Sequence, residues 1–500
     1  MKVFTSAQIR DWDAYTIAHE PVESLALMER AAAALRDWLV ENAGAPTPMD
    51  VFCGMGNNGG DGLALTRLLL EAGREARAWI VAAGKRFTTD AEVNHRRLET
   101  RFPGAVSVIG DLGDMPPLEA GYWVIDAVFG TGLSRPVTGL AAAVIERINQ
   151  AGVPVISVDM PSGMRADDSS RGGPVVRATH TLSFQCMKKA FLMAENARAT
   201  GRVHLLDIGL DPGFEQATVT PDYLTGAADV RRIYRPREAF SHKGTYGHAL
   251  VVAGSYGKMG AAVLSTRACL RAGAGLVTAL VPSSGYGIMQ TAVPEAMCET
   301  SAGDRHLTGT AVSPGGYRAV GVGPGLGTHP ETAAAVAGLL SMARAPMVLD
   351  ADALNIVSQD KRLIAEIPPG SILTPHPKEF ERLFGEAADE FRRMELQRSL
   401  SVRHDLYIVL KGHRSCISTP DGRCYFNPTG NAGMATGGSG DVLTGILTAL
   451  LAQGYDPGDA AVLGVYLHGL AGDAAAAVLG QEALIASDLA EYLGQAFKML

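Results

Sequence analysis

Five hundred residues are too many for one ordinary hydrophobic core, so the chain is expected to form two or three domains. A composition of 47% hydrophobic residues with 58 glycines and 17 methionines fits a glycine-rich soluble α/β protein and excludes a disordered, fibrous or small staple-dependent chain. A formal charge of −8 without a dense Lys/Arg run leaves no electrostatic footprint for nucleic acid or an anionic membrane.

Cys53, Cys186, Cys269, Cys298, Cys416 and Cys424 are scattered without a CxxC, which suits a reducing compartment. Cys416 and Cys424 read as two arms of a β-hairpin around Asp421 and Gly422, not as a metal site. The amino-terminal residues hold no apolar signal core, and no stretch reaches the uninterrupted apolar length of a membrane span. A cytoplasmic location without a membrane partner is therefore expected.

In chain order, a short apolar strand at residues 49–52 runs into GMGNNGGDG and then into apolar residues at helical spacing. Residues 76–81, 122–126 and 154–159 read as further strands, the last two ending in Asp126 and Asp159. Strand, loop and helix in alternation predict a mostly parallel sheet, whose ligands sit beyond the carboxyl ends of the strands. One rim would then gather Asn57, Asn58, Asp61, Asp126, Asp159 and Ser162. Five glycines and two asparagines in nine positions suggest backbone N–H groups close to an anion, while Asp61 and Asp159 can also be read as caps. Asn58, Asp126 and Ser162 offer only oxygen and amide donors, which points to a hard monovalent or divalent cation and away from zinc.

Residues 220–235 have mixed polarity and little periodicity, and the domain boundary is placed there, dividing 1–220 from 221–500. A second α/β cycle follows, with strands expected at 248–253, 276–281, 318–322, 346–350, 371–374 and 406–410. A glycine loop at 319–327, Asp350 at a strand end, His376 between two prolines, and Lys411–Gly412 after a strand are its candidate contacts. The most informative stretch is MATGGSGDVLTG, residues 434–445. It lacks the lysine of a P-loop, yet Gly437, Gly438 and Gly440 can wrap a phosphoryl group at the positive end of a helix. Phosphoryl transfer also needs a carboxylate to take the acceptor hydroxyl's proton, and Asp441 stands at that place. A plain N-cap is the competing reading.

MATGGSGDVLTG, together with TPHPKEF at 374–380 and NNGGDG at 57–62, closely resembles the bifunctional NAD(P)H-hydrate repair enzymes, in this order along nearly the whole chain. The resemblance implies an N-terminal Rossmann-like α/β/α epimerase domain and a C-terminal ribokinase-like, ADP-dependent dehydratase domain. The first would interconvert the R and S forms of NADHX and NADPHX, hydrated at C6 of the nicotinamide ring. By the same resemblance Asn57, Asn58, Gly59, Gly60 and Asp61, with Gly130, Thr131, Gly132, Leu133, Ser134, Arg135 and Pro136, match substrate-binding segments. Asn58, Asp126 and Ser162 match potassium ligands, and Asp159 is the preferred acid–base residue. In the second domain Asp441 matches the base at the C6 hydroxyl of the S form, which ADP phosphorylates before phosphate leaves. Ala261, Gly323 and His376 match positions lining the hydrate. Lys411, Gly412, His413, Arg414 and Ser415, with Gly440, match the adenine-nucleotide segment. Mg²⁺ at the phosphates and a homo-oligomer are expected. Two departures stand out: MRADDSSRGG after Gly163, beside the potassium segment, and Asn431-Ala432-Gly433 at the entry to the phosphate loop. A kinase of another small-molecule hydroxyl, with a non-catalytic first domain, is the alternative.

Overall fold

The computed structural model describes residues 1–44, 47–82, 86–309 and 313–500. The chain divides into two compact units, one of Lys2–Thr220 with Asp389–Phe391, the other of Pro221–Ala388 and Arg392–Leu500 with Met1.

The first unit is built on seven strands: β1 (Met49–Cys53), β2 (Ala76–Val81), β3 (Val106–Ile109), β4 (Trp123–Ala127), β5 (Val155–Val158), β6 (His180–Phe184) and β7 (Arg202–Leu206). All pair in parallel, in the order β3-β2-β1-β4-β5-β6-β7. The order reverses between β1 and β4, which is where such a sheet leaves a crevice. Phe52 pairs with Asp126, and Asp126 with Ser157, so the three central strands end level at that crevice. Their side chains alternate between two cores: Val51 and Cys53 belong to one, Phe52 and Val124 to the other.

The second unit carries ten strands: β8 (Asp222–Leu224), β9 (His248–Val252), β10 (Leu276–Val281), β11 (Met297–Thr300), β12 (Ala319–Val322), β13 (Met347–Leu349), β14 (Ile372–Leu373), β15 (Tyr407–Leu410), β16 (Cys416–Ser418) and β17 (Cys424–Phe426). Their order is β11-β10-β9-β12-β13-β14-β15-β16-β17-β8, with only β15-β16-β17 antiparallel. The hairpin at Asp421 and Gly422 joins β16 to β17, and Cys416 and Cys424 remain free thiols.

Two expectations are corrected here. Residues 220–235 are not irregular: they hold β8, paired with β17, and the helix Ala227–Ile233. A three-residue strand is too short to leave a period in the sequence. Pro457–Leu479, a 23-residue helix, does reach membrane-spanning length and apolarity, but 56% of its most apolar window is buried inside the unit. There it packs on Ser439–Ala452 and Ala486–Lys498. Ser439–Ala452 is itself buried from Val442 to Ala452, which explains why it is apolar all round. Its Gly445 lets the backbone of Met259–Arg271 come close, since a Cβ there would lie 2.1 Å from the Ser265 carbonyl oxygen.

Candidate active sites

In the first unit a cavity of about 900 Å³ opens beyond β1 and β4 and is lined by Asn57, Asn58, Asp61, Asp159 and all of residues 130–136. The Asn57–Glu71 helix forms one wall. It begins five residues earlier than a glycine loop ending at Asp61 would allow, so NNGGDG is helix and not an open anion cradle. Its glycines are there for close packing. A Cβ on Gly59 would meet the Gly54 carbonyl oxygen at 1.8 Å, and one on Gly62 would meet Cys53 Sγ at 2.8 Å. Gly59→Ala is therefore expected to push the helix off β1 and to cost about 1–3 kcal/mol or more, read as a lowered thermal midpoint.

Asp61 lies one turn inside this helix, whose N-cap is Gly56, so the reading of Asp61 as a cap falls away. Burial pushes its carboxyl well above the ordinary range, and the charges of Asp159 and Asp13 add to that. Asp159 has φ +61, a left-handed conformation that costs a non-glycine residue strain, and its Oδ1 lies 2.8 Å from Lys188 Nζ. Lys188 is 1% exposed and also donates to the Phe184 carbonyl at 2.6 Å. Asp13, from the Ser6–His19 helix, lines the same cavity, with its pKa pushed up to about 6 by burial and by Asp159, against Lys188. Sequence reasoning missed Asp13 and Lys188. Each stands outside any glycine-rich signal, and only the tertiary fold brings them to Asp159.

Behind the cavity Asp126 is fully buried. It accepts from Ser162 Oγ at 2.5 Å, Ser162 N at 2.8 Å and Ser157 Oγ at 2.8 Å. Burial raises its pKa, and these bonds oppose the rise. Asn58 is near-buried beside Gly130, where a Cβ would lie 3.1 Å from Asn58 Oδ1, and its amide nitrogen has no hydrogen-bond partner among the described residues.

In the second unit Gly438, at φ +93, turns the chain into the Ser439–Ala452 helix, and Asp441 is the third helical residue. No hydrogen bond to the Asp441 carboxyl occurs among the described residues, and Gly438 is the N-cap residue, so Asp441 is not spent on capping. Burial and the neighbouring Asp350 push its pKa up to about 6, with Lys411 pulling the other way.

The cradle is not lysine-free, which corrects the reading of this stretch taken alone. Lys411, just past β15, reaches across β14 to Asp350, just past β13, at 2.7 Å. A Cβ on Gly440 would lie 3.3 Å from Lys411 Nζ and 3.5 Å from Asp350 Oδ2, so the helix start sits directly against this ion pair. Thr444 Oγ1 donates to Asp350 at 2.8 Å, and Glu379 lies 3.9 Å from Lys411. Burial pulls the Lys411 ammonium down, but Asp350 and Glu379 outweigh it and raise its pKa.

His468, from the long Pro457–Leu479 helix, supports the same turn. Its Nε2 lies 3.0 Å from the Ser439 carbonyl oxygen, an acceptor, so Nε2 carries the hydrogen. Burial holds this imidazole neutral, with a pKa pushed down to about 4.

The remaining candidates sit on neighbouring strand ends. Gly323, at φ +135, follows β12, and a Cβ there would meet the Asp350 carbonyl oxygen at 1.8 Å. Ala261 faces this loop, its Cβ 2.9 Å from the place of a Cβ on Gly325. His376 caps the Pro377–Phe384 helix, its Nδ1 accepting from Lys378 N at 3.1 Å and Glu379 N at 3.3 Å. That leaves Nε2, 3.5 Å from Glu379 Oε1, for any further contact. Ser415 Oγ donates to the Gly412 carbonyl at 3.1 Å and Arg414 to the Pro428 carbonyl at 2.7 Å, which close residues 411–415 into a tight turn. The His413 imidazole, on the exposed side of this turn, has its pKa pushed down by desolvation and then by Arg414.

Residues 249–495 match the family described as NAD(P)H-hydrate dehydratase, and residues 24–190 match the YjeF-related protein N-terminus. The chain is 39% identical over 511 residues to the bifunctional NAD(P)H-hydrate repair enzyme Nnr of Moorella thermoacetica, covering 99% of this chain and 96% of that protein. It belongs to the bifunctional NAD(P)H-hydrate repair enzymes. The protein of the same name from Thermofilum pendens is 37% identical, covering 100% of this chain and 97% of that one. Among solved structures, the ADP/ATP-dependent NAD(P)H-hydrate dehydratase of Bacillus subtilis, co-crystallised with ATP/Mg²⁺, is 33% identical. It covers 55% of this chain and 98% of its own, with a TM-score of 0.49. The chain carries a Rossmann-like domain followed by a ribokinase-like domain, and each unit holds a distinct acid-bearing site.

Proposed function

We propose that the first unit epimerises (R)- and (S)-NAD(P)HX and that the second dehydrates the S form with ADP, giving NAD(P)H, AMP and phosphate. The observation that carries the second half is Asp441: a carboxyl without a hydrogen-bond partner among the described residues, at the start of a helix, next to the Lys411–Asp350 pair. At neutral pH such a group is ionised and can take the proton of the C6 hydroxyl as that oxygen attacks the β-phosphoryl of ADP. Lys411 and the N–H groups of the first helical turn draw the phosphoryl charge, and AMP leaves. Loss of phosphate from C6 together with a proton from C5 then restores the reduced ring. His468 keeps the Ser439 carbonyl turned away from the phosphoryl group without adding a charge. Asp350 and Glu379 offer carboxylate oxygens that suit Mg²⁺ carried in on nucleotide phosphates, where it would neutralise phosphate charge. Residues 411–415 would receive the adenine nucleotide, and Ala261, Gly323 and His376 Nε2 would face the hydrate.

In the first unit Asp61, whose carboxyl burial pushes toward the neutral form, is suited to give a proton to the departing C6 hydroxyl, and Asp159, paired with Lys188, to take one from the water that adds to the other face. Asn57 and the loop at 130–136 would hold the rest of the nucleotide. Asn58, Asp126 and Ser162 fit a monovalent cation. Asp126 is a buried acid with no basic partner among the described residues, and the Asn58 amide, turned over, places an oxygen where its nitrogen now has no acceptor. K⁺ there would balance the Asp126 charge and hold the 130–136 loop against the helix.

Supplying a mixture of R and S hydrate with ADP, Mg²⁺ and K⁺ tests the whole reading through the return of reduced-nicotinamide absorbance. Complete recovery is expected. A halt at the S fraction, with only slow spontaneous drift beyond it, would remove the epimerase assignment. Accumulation of a stable phosphoester would favour a plain kinase. Replacing K⁺ by Na⁺ is expected to slow epimerisation, and Asp126→Asn to abolish the difference between the two ions.

A further inference from the structure

We propose that His306, His329 and Glu331 form a binding site for one divalent ion of the zinc type on the second unit, apart from the residues of phosphoryl transfer. Ligand atoms from the three side chains lie within 4.8 Å of one another. His306 Nε2 is 2.6 Å and His329 Nδ1 3.8 Å from the same Glu331 oxygen, and the two imidazoles face each other with centroids 3.8 Å apart. Two imidazoles and a carboxylate are the donors that zinc takes in three-ligand sites, with a fourth position left for water. The same set is poor for Mg²⁺, which demands an octahedron of oxygens.

The backbone holds the three ligands together before any ion arrives. His329 is the N-cap of the helix Pro330–Met342, so His329 and Glu331 are fixed within one turn, with Pro330 between them. His306 comes from a separate segment, and its position is fixed from both sides. Leu307 is fully buried and its carbonyl accepts from Thr332 Oγ1 at 3.1 Å, which ties the residue after His306 to the residue after Glu331. On the other side the Arg305 carbonyl accepts from Tyr256 N at 2.8 Å, and the Arg305 guanidinium lies 3.8 Å over the Tyr256 ring. A hydrogen bond between His306 and Glu331 explains that pair alone. It gives no reason for a second imidazole held against the first at a 32° tilt, an arrangement that two protonated rings would resist. His329 Nδ1 also accepts the Glu331 N–H at 3.3 Å, a long bond that the ring can keep by presenting Nε2 to the ion. A bound ion would fasten the segment around His306 to the helix that follows Gly323, Gly325 and Gly327.

Isothermal titration of Zn²⁺ into the full-length protein, without nucleotide, tests the site against His306→Ala, His329→Ala and the double variant. The wild type is expected to bind one zinc whose affinity falls roughly tenfold or more in each single variant. Zinc should also raise the wild-type thermal midpoint and leave that of the double variant unchanged. Metal-free midpoints near the wild type, expected because the side chains of His329 and His306 are 50% and 28% exposed, show that the variants fold. Co²⁺ in place of Zn²⁺ should give the visible absorption of a four-coordinate site in the wild type only. An unchanged zinc isotherm in the double variant, or no zinc binding by the wild type, overturns the proposal. Neither result bears on the repair reaction, which uses none of these three residues.

Discussion

Asp441→Asn is expected to lower ADP-driven dehydration of the S hydrate by about 10²–10⁴-fold while leaving epimerisation at the wild-type rate. Asn has the same shape, and Asp441 gives up no hydrogen bond seen among the described residues, so the loss would be one of proton acceptance and not of folding. Two pH measurements separate these. The wild-type dehydration rate should fall as pH drops through about 6, because the base must be ionised and its pKa is pushed up to about 6. That limb should be missing from whatever activity the Asn variant retains. Stability should move in the opposite sense. A carboxyl whose pKa rises from 3.8 to about 6 on folding gives a stabilising contribution that is whole below 3.8 and lost as pH rises through about 6. The Asn variant lacks this dependence, so at neutral pH its midpoint should equal or exceed that of the wild type. Unchanged turnover in Asp441→Asn would remove the phosphoryl-transfer reading of this helix start.

How this site could be read from the sequence differs from residue to residue. Asp441 was legible because three glycines before an apolar helix are an unusual way to begin one, and a strand-end acid such as Asp350 is visible for the same positional reason. The cation was not. Lys411 is some thirty residues before Gly440 and looked like one lysine after a strand, with nothing local to connect it to Asp350. The connection is a property of sheet order: β13, β14 and β15 lie side by side, so residues just past the first and third face each other over one short strand. Parallel order among strands joined by long crossovers leaves no periodic trace in the sequence.

The first unit shows a different failure. NNGGDG has the composition of a loop, and propensity favours that reading, since glycine and asparagine are poor helix formers. Packing overrides it. The helix start is pressed so closely on Gly54 and β1 that no side chain fits at Gly59 or Gly62, and glycine is required by contact and not by turn geometry. The loop reading also hides what burial does to Asp61, for an acid inside a helix wall is desolvated and pushed toward its neutral form, where a loop cap is not.

Asp159→Asn is expected to slow epimerisation by about 10²–10⁴-fold. The single variant is open to another explanation, because Lys188 is 1% exposed and 2.8 Å from Asp159 Oδ1. Removing the acid leaves a buried cation without its charge partner, a change that costs about 3–5 kcal/mol in comparable pairs. Loss of activity could then report a collapsed cavity. The double variant Asp159→Asn with Lys188→Met removes both charges and the penalty together, so its thermal midpoint should return toward the wild type while epimerisation stays lost. Dehydration of pure S hydrate by the same sample shows that the second unit is intact. Among the described acids lining the cavity, Asp61 and Asp13 have carboxyls pushed toward the neutral form, and Asp159 is the one paired with a cation. That distribution supports the proposed assignment of Asp159 as acceptor and Asp61 as donor. A double variant that folds and epimerises at the wild-type rate would reverse the assignment and leave the carboxyls of Asp13 and Asp61 to carry the chemistry between them.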